Sequence, residues 1–295
     1  MNAPPSSTRA PGASTPGRRS RTPGAARQSG FTLVELILVI VLLGILSAVA
    51  TVFIVPPFQA AVDLENRATL VDATDSALSA VLREARAALP NSIRLHGSAH
   101  VEFISVRTGG RYRRLPPPGG GGEGFVPARA AASFDVPGGL DAAAIVTRGP
   151  GTDCARGNGD CLSVLNTRQP GFDAYRGENI AAVVAAGPES LAYDSGGVGP
   201  AFASHSPQQR FFVIADVVSY RCEGGELARY SGYGLQAGTP TLANRERVSL
   251  DVADCRFDYN PGSAARRGLL TARIALERAG ERVELLGQTQ VLNAP

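Results

Sequence analysis

Glu35 is the first side chain whose chemistry demands a partner. It is the single charge in residues 31–55, a run that is otherwise apolar or uncharged. A carboxylate in a membrane-spanning stretch costs about 2.5–3.5 kcal/mol at the bilayer centre and less near an end, so it calls for a cation. The same helix offers none, because no Arg or His follows until Arg67. A cut between Gly30 and Phe31 would create an α-amine at the same depth. In a staggered bundle of such helices, the amine of one copy can neutralise Glu35 of the next, an arrangement that favours polymerisation.

Other residues invite chemistry less strongly. The four cysteines, Cys154, Cys161, Cys222 and Cys255, contain no C-x-x-C pair, and His96, His100 and His205 lack zinc-site spacing. An even count outside a reducing cytosol reads as two disulfides, with three pairings possible. The short separation favours Cys154 with Cys161, leaving Cys222 with Cys255. The loop Asp153-Cys-Ala-Arg-Gly-Asn158-Gly-Asp160 has oxygen ligands for calcium, but its spacing is not an EF-hand and Asn-Gly-Asp is turn chemistry. His96 and His100 flank Gly97 and read as surface residues. Asp216, inside an apolar run, reads as a paired or edge-facing carboxylate rather than a catalytic acid. Arg111-Tyr112-Arg113-Arg114 is a short basic patch beside Pro and Gly, read as a solvated loop tip. G-x-S-x-G, H-E-x-x-H, P-loop and dinucleotide patterns are all missing. The expectation is a non-enzymatic chain with no cofactor, no metal and no nucleic-acid partner.

Composition supports that division. All 29 basic residues are arginine; five of them, Arg9, Arg18, Arg19, Arg21 and Arg27, precede Phe31, where there is no acid. From Phe31 onward, 24 arginines face 26 carboxylates, giving −2, so the overall +3 belongs to the leading segment. That balance gives the remainder no long-range pull on DNA. Residues 1–30 are Pro, Ser, Gly, Ala and Arg, with little to bury.

The positioning elements follow. Twenty-five residues make a helix of about 37 Å, enough to span a bilayer. Basic residues before it orient the N-terminus to the cytoplasm. Ala48-Val49-Ala50 has the form of a signal-peptidase site, but the apolar run continues past it and contains Glu35. Arg18-Arg19 lacks the close apolar sequel of a twin-arginine signal. Leu64, Ala68, Val71, Leu78, Leu82, Ala85 and Leu89 then predict an amphipathic helix, interrupted at Asp75 and ended by Pro90. Strands are predicted at 101–106, 180–184 and 211–218, the last a central one. Val248, Leu250 and Val252 alternate, and a phase slip at Asp254 predicts a β-bulge before Cys255, Phe257 and Tyr259. Leu270, Ala272, Ile274 and Leu276 lead through Arg278-Ala-Gly-Glu-Arg282 into a C-terminal hairpin.

Gly30-Phe31-Thr32-Leu33-Val34-Glu35 followed by an unbroken apolar run resembles the cleavage and methylation signature of the type IV prepilin-like and pseudopilin family. The resemblance implies an α+β, pilin-like fold: a long N-terminal membrane-spanning helix packed on a C-terminal antiparallel β-sheet head. It implies cleavage after Gly30, N-methylation of Phe31, and assembly through Glu35. The implied partners are a prepilin peptidase/methyltransferase, other major and minor pilins, an inner-membrane assembly platform and the lipid membrane. The implied divisions are a cleaved leader over 1–30, a transmembrane assembly helix over 31–57, an amphipathic half over 58–90 and a periplasmic head over 91–295. Two features depart from the family: the leader is long, and Val52 stands where major pilins often carry a proline, although Pro56 and Pro57 follow. Residues 53–56, 88–94 and 288–295 resemble minor pilins of the mannose-sensitive haemagglutinin (MSHA) pilus system. The nearest competitor is a large minor pseudopilin of type II secretion. From a different class, a signal-anchored periplasmic enzyme or binding domain would have no use for Glu35.

Overall fold

A computed structural model describes residues 30–150, 154, 159–196, 201–263 and 266–293. The chain divides into two compact units, Met1–Gln59 and Ala60–Pro295. One helix, α1 (Leu33–Arg86), supplies the apolar run and continues into the second unit, with Pro56 and Pro57 inside it. It starts two residues later than Phe31 because Thr32 caps it. The amide of Glu35 donates to Thr32 Oγ1 at 3.2 Å, and that of Leu36 to the Thr32 carbonyl at 3.1 Å. Thr-x-x-Glu is the capping-box pattern.

The helix ends three residues before Leu89, where the sheet captures the chain. Ala88 forms a bridge with Ser105, and Leu89 N donates to the Ile104 carbonyl at 2.8 Å. Within the second unit, the buried stripe of α1 is Leu70, Thr74, Ala77, Leu78, Val81 and Ala85. This corrects the expected stripe: Leu64, Ala68 and Val71 are exposed. The steps between the buried residues keep the helical period but turn Asp75 outward, so this stripe carries no carboxylate. Thr74 is tolerated on the stripe because its hydroxyl donates to the Leu70 carbonyl at 2.6 Å.

The strands are β1 (Arg94–Leu95), β2 (His100–Arg111), β3 (Ala131–Asp135), β4 (Cys161–Ser163), β5 (Ile180–Ala186) and β6 (Ser190–Asp194). They continue with β7 (Arg210–Glu223), β8 (Glu226–Tyr230), β9 (Glu246–Ser249), β10 (Val252–Asn260), β11 (Gly268–Arg278) and β12 (Glu281–Val291). The pairings between these strands are antiparallel. Nine form one sheet in the order β1-β2-β7-β4-β5-β6-β3, with β8 and β9 added beside the far end of β7; the last three form a second sheet, β10-β11-β12. The predicted central strand is β7, which pairs β2 along one edge and β4 then β8 along the other.

The expected strand through Val248, Leu250 and Val252 is two strands, because Asp251 adopts φ 59° between β9 and β10. The phase slip does lie between Val252 and Asp254, and beyond it Cys255 and Phe257 are buried. Leu270, Ala272, Ile274 and Leu276 point inward as expected, and Ala279-Gly280, both at positive φ, make the two-residue hairpin turn.

Helix and second sheet meet at Gly287 on β12. A Cβ there would lie 2.5 Å from Leu82 Cδ1 and 3.0 Å from a Leu78 methyl, so only glycine admits the helix this closely. The core around this contact joins Leu78, Val81 and Ala85 to Phe103, Tyr220, Phe257 and Ile274. The architecture is therefore α+β and pilin-like: one long apolar N-terminal helix followed by a mostly antiparallel β-sheet head.

Candidate assembly site at the helix N-terminus

The structure places Gly30, Phe31 and Glu35 together at the start of α1, all exposed. A Cβ on Gly30 would meet nothing within 4 Å, and Gly30 does not have a positive φ. Nothing within the described residues therefore requires glycine at this position. Phe31 is 79% exposed, and the apolar side chains of Leu33 through Phe53 lie open with it. In water this would be unfavourable, and one helix here is long and apolar enough to cross a membrane. The Glu35 backbone completes the Thr32 cap, while its carboxylate makes no hydrogen bond or ion pair among the described residues. Thr32 sets the helix start, and the Thr-x-x-Glu spacing is the sequence signal for it.

In the head, the sulfurs of Cys154 and Cys161 are bonded at 2.11 Å, and those of Cys222 and Cys255 at 1.94 Å. The second bridge ties β7 of the large sheet to β10 of the small one. Asp153 and Asn158 of the candidate calcium loop lie outside the described residues. Asp160 is buried, and its Oδ2 accepts from Arg107 Nε at 2.6 Å and from Val146 N at 2.9 Å. Among the described residues no three His, Cys, Asp or Glu side chains gather as metal ligands.

The histidines correct their reading as surface residues. His100 is buried, with Nε2 2.9 Å from Ser219 Oγ, and His96 Nε2 lies 2.7 Å from Glu102 Oε2. The centre of this cluster is Glu102, fully buried, which also accepts from Arg94 Nε and, at 3.1 Å, from Tyr233 OH. Arg94 donates on to the carbonyls of Gln236 and Ala237 and stacks 3.6 Å over the Tyr175 ring. Burial, foremost, and then the neighbouring His96 lower the His100 pKa to about 4. Burial raises those of the Tyr175 and Tyr233 hydroxyls. Ser219 beside His100 has the pairing of a nucleophile with a base, but Ser219 is 0% exposed, so no substrate reaches it. The cluster instead pins the 233–237 loop to the sheet. No motif announces Glu102 or Arg94, since Tyr233 lies 131 residues from Glu102 and the Gln236 and Ala237 carbonyls lie 142 and 143 residues from Arg94.

Asp216 is also a backbone anchor. Its carboxylate accepts from Val217 N at 2.7 Å and from Gly232 N, and burial raises its pKa. The basic patch is not a bare loop tip. Arg111 ends β2, and Tyr112 is buried in an aromatic cluster with Phe125, Phe134 and His205, its hydroxyl accepting from Ser206 N at 2.8 Å.

With this geometry in view, comparison with known families gives one match: the prokaryotic N-terminal methylation motif, over residues 25–51. No match was found among curated proteins or solved structures. The matched segment holds Gly30, Phe31 and Glu35 and the first part of α1. It supports a type IV pilin-like or pseudopilin-like structural subunit. A motif of this kind implies processing by a prepilin peptidase and assembly with other pilins. The apolar helix is consistent with inner-membrane anchoring ahead of the C-terminal head.

Proposed function

We propose that the chain is a minor pilin of an MSHA-type type IV pilus, similar to the MshO subunit. It is made with a basic leader over 1–30, which prepilin peptidase removes between Gly30 and Phe31 before N-methylating Phe31. Residues 31–57 hold the subunit in the bacterial inner membrane with the head in the periplasm, and the assembly platform then draws it into the pilus. Glu35 pairs with the methylated amine of a neighbouring subunit. Cys154, Cys161, Cys222 and Cys255 staple the head as two disulfides in that oxidising space.

The observation that carries this reading is the conjunction at the helix start. Among the described residues, an unrequired glycine, an exposed Phe31 and a carboxylate without a partner share one motif. Each acquires a purpose in a processed, assembled subunit. Mass spectrometry of the mature N-terminus tests it. A chain beginning at N-methyl-Phe31 agrees with the proposal; a chain beginning at Thr51, or an intact leader, overturns it. Recovery in sheared surface pili rather than in a secretion apparatus tests the MSHA assignment.

A further inference from the structure

Strand β2 has an open edge. Its partner β1 covers only Val101 and Glu102, and the Ala88 bridge stops at Ser105. Among the described residues, β7 is the only strand paired with Val106–Arg111, so within them the other side carries backbone donors and acceptors with no ladder. Six residues of edge span about 20 Å. An edge of that length is a template for another strand unless something blocks it.

The edge is accessible. Val106 through Arg111 line a groove of about 570 Å³ together with Ala87, Ala88, Pro90 and Leu292. The register with β7 shifts between Ser105 and Val106 and again between Val106 and Thr108, where Arg107 is skipped and its guanidinium is committed to Asp160. From Thr108 to Arg111 the pairing with β7 is regular. In the middle stand Gly109 and Gly110, whose missing side chains are replaced by the rings of Phe212 and Phe211 on the neighbouring strand. A Cβ would lie 3.1 Å from the first ring and 2.9 Å from the second. Gly109 and Gly110 therefore present backbone without side chains of their own.

The groove also carries a charge signature. Arg86, Arg107, Arg111 and Arg210 line it, and no carboxylate does. Arg86 and Arg111 are exposed and have no ion-pair partner among the described residues. Arg86 uses only its Nε, donating to Thr289 Oγ1 at 3.1 Å. Such arginines repel a second copy of this edge and attract carboxylates.

We infer that the β2 edge is a docking site for an extended, acidic peptide segment of another protein, added as a strand along Val106–Arg111. Backbone hydrogen bonds supply the pairing, and acidic side chains of the incoming segment meet Arg86 and Arg111. The inference is independent of how the N-terminus is processed.

The test uses the full chain in detergent micelles and a fluorescein-labelled eight-residue peptide alternating Glu with Val. Anisotropy should show saturable binding that weakens with salt, and amide exchange should slow at Thr108–Arg111. The double variant Arg86→Glu/Arg111→Glu should bind about tenfold or more weakly while the chain remains folded. A peptide with Lys for Glu, or with Pro at alternate positions, should bind as weakly. Equal binding by the Lys peptide overturns the charge match, and equal binding by the Pro peptide overturns strand addition. Exchange protection elsewhere overturns the site. Concentration-dependent dimers abolished by the double variant would make a second copy the occupant and overturn the proposal as well.

Discussion

The Glu84 carboxylate on α1 lies 3.1 Å from Arg229 Nε on β8, and the Tyr220 hydroxyl on β7 donates to the same carboxylate at 3.1 Å. One helical side chain thus fastens two adjacent strands of the large sheet. Burial above all, and Glu84 next, raise the Tyr220 pKa, so the hydroxyl stays a donor. Glu84→Ala should destabilise the head by roughly 1–2 kcal/mol, because it strands that hydroxyl in the core. Tyr220→Phe combined with Glu84→Ala should cost less than the two single changes together. Urea unfolding of the full chain in detergent measures both, and additive effects would deny the coupling.

Acid should weaken the head through His100. Arg94, His96, Glu102 and Arg221 surround it, and only Glu102 favours its protonation. The folded pKa of about 4 is below the unfolded value near 6.5, so between these limits the unfolded chain binds the proton more readily. Stability is full above about pH 6.5 and falls as pH drops toward 4, by on the order of 1–3 kcal/mol. His100→Gln keeps a partner for Ser219 Oγ and should flatten this part of the profile. An unchanged profile in that variant would place the acid sensitivity elsewhere.

The two sulfur bridges should contribute unequally. Cys222–Cys255 closes a separation of 33 residues and joins the sheets, whereas Cys154–Cys161 closes 7. Loop-closure entropy gives about 3–4 kcal/mol for the first and about 2–3 for the second. Paired Cys→Ser changes should therefore lower the melting temperature more at 222/255 than at 154/161. The reverse order by calorimetry would mean that the short bridge, not the inter-sheet one, limits unfolding.

Much of this was legible where the signal is local. The motif from Gly30 to Glu35, the alternation in β11, the Ala279-Gly280 turn and the slip at Val252/Asp254 all appear in stretches shorter than a dozen residues. The phase of α1 was harder, because alanines populate every face and a self-bonded Thr74 can stand on the buried one. The strand order of the large sheet was not readable, since β2 and β7 pair across about a hundred residues of intervening chain. Buried His100 and Glu102 likewise look like surface residues until Ser219, Tyr233 and the 236–237 carbonyls are folded onto them. The open edge of β2 is a property of which strands fail to pair, and no local pattern encodes that.

Glu35 separates charge from shape at the assembly site. Because its amide is capped by Thr32 Oγ1, a side-chain change leaves the first turn of α1 hydrogen-bonded. Glu35→Gln keeps a capping-box side chain while removing the charge; Glu35→Ala removes both. Membrane insertion should not suffer in either variant, since each deletes a carboxylate whose burial costs free energy. Leader removal should also persist, whereas a bulky residue at Gly30 should leave the leader uncut. Incorporation into filaments should fall about tenfold or more for both Glu35 variants if the neighbour's amine needs a charge. Sheared filaments probed by immunoblot, normalised to processed chain in the membrane, read this directly. Wild-type recovery of Glu35→Gln would show that incorporation does not depend on a charge at Glu35.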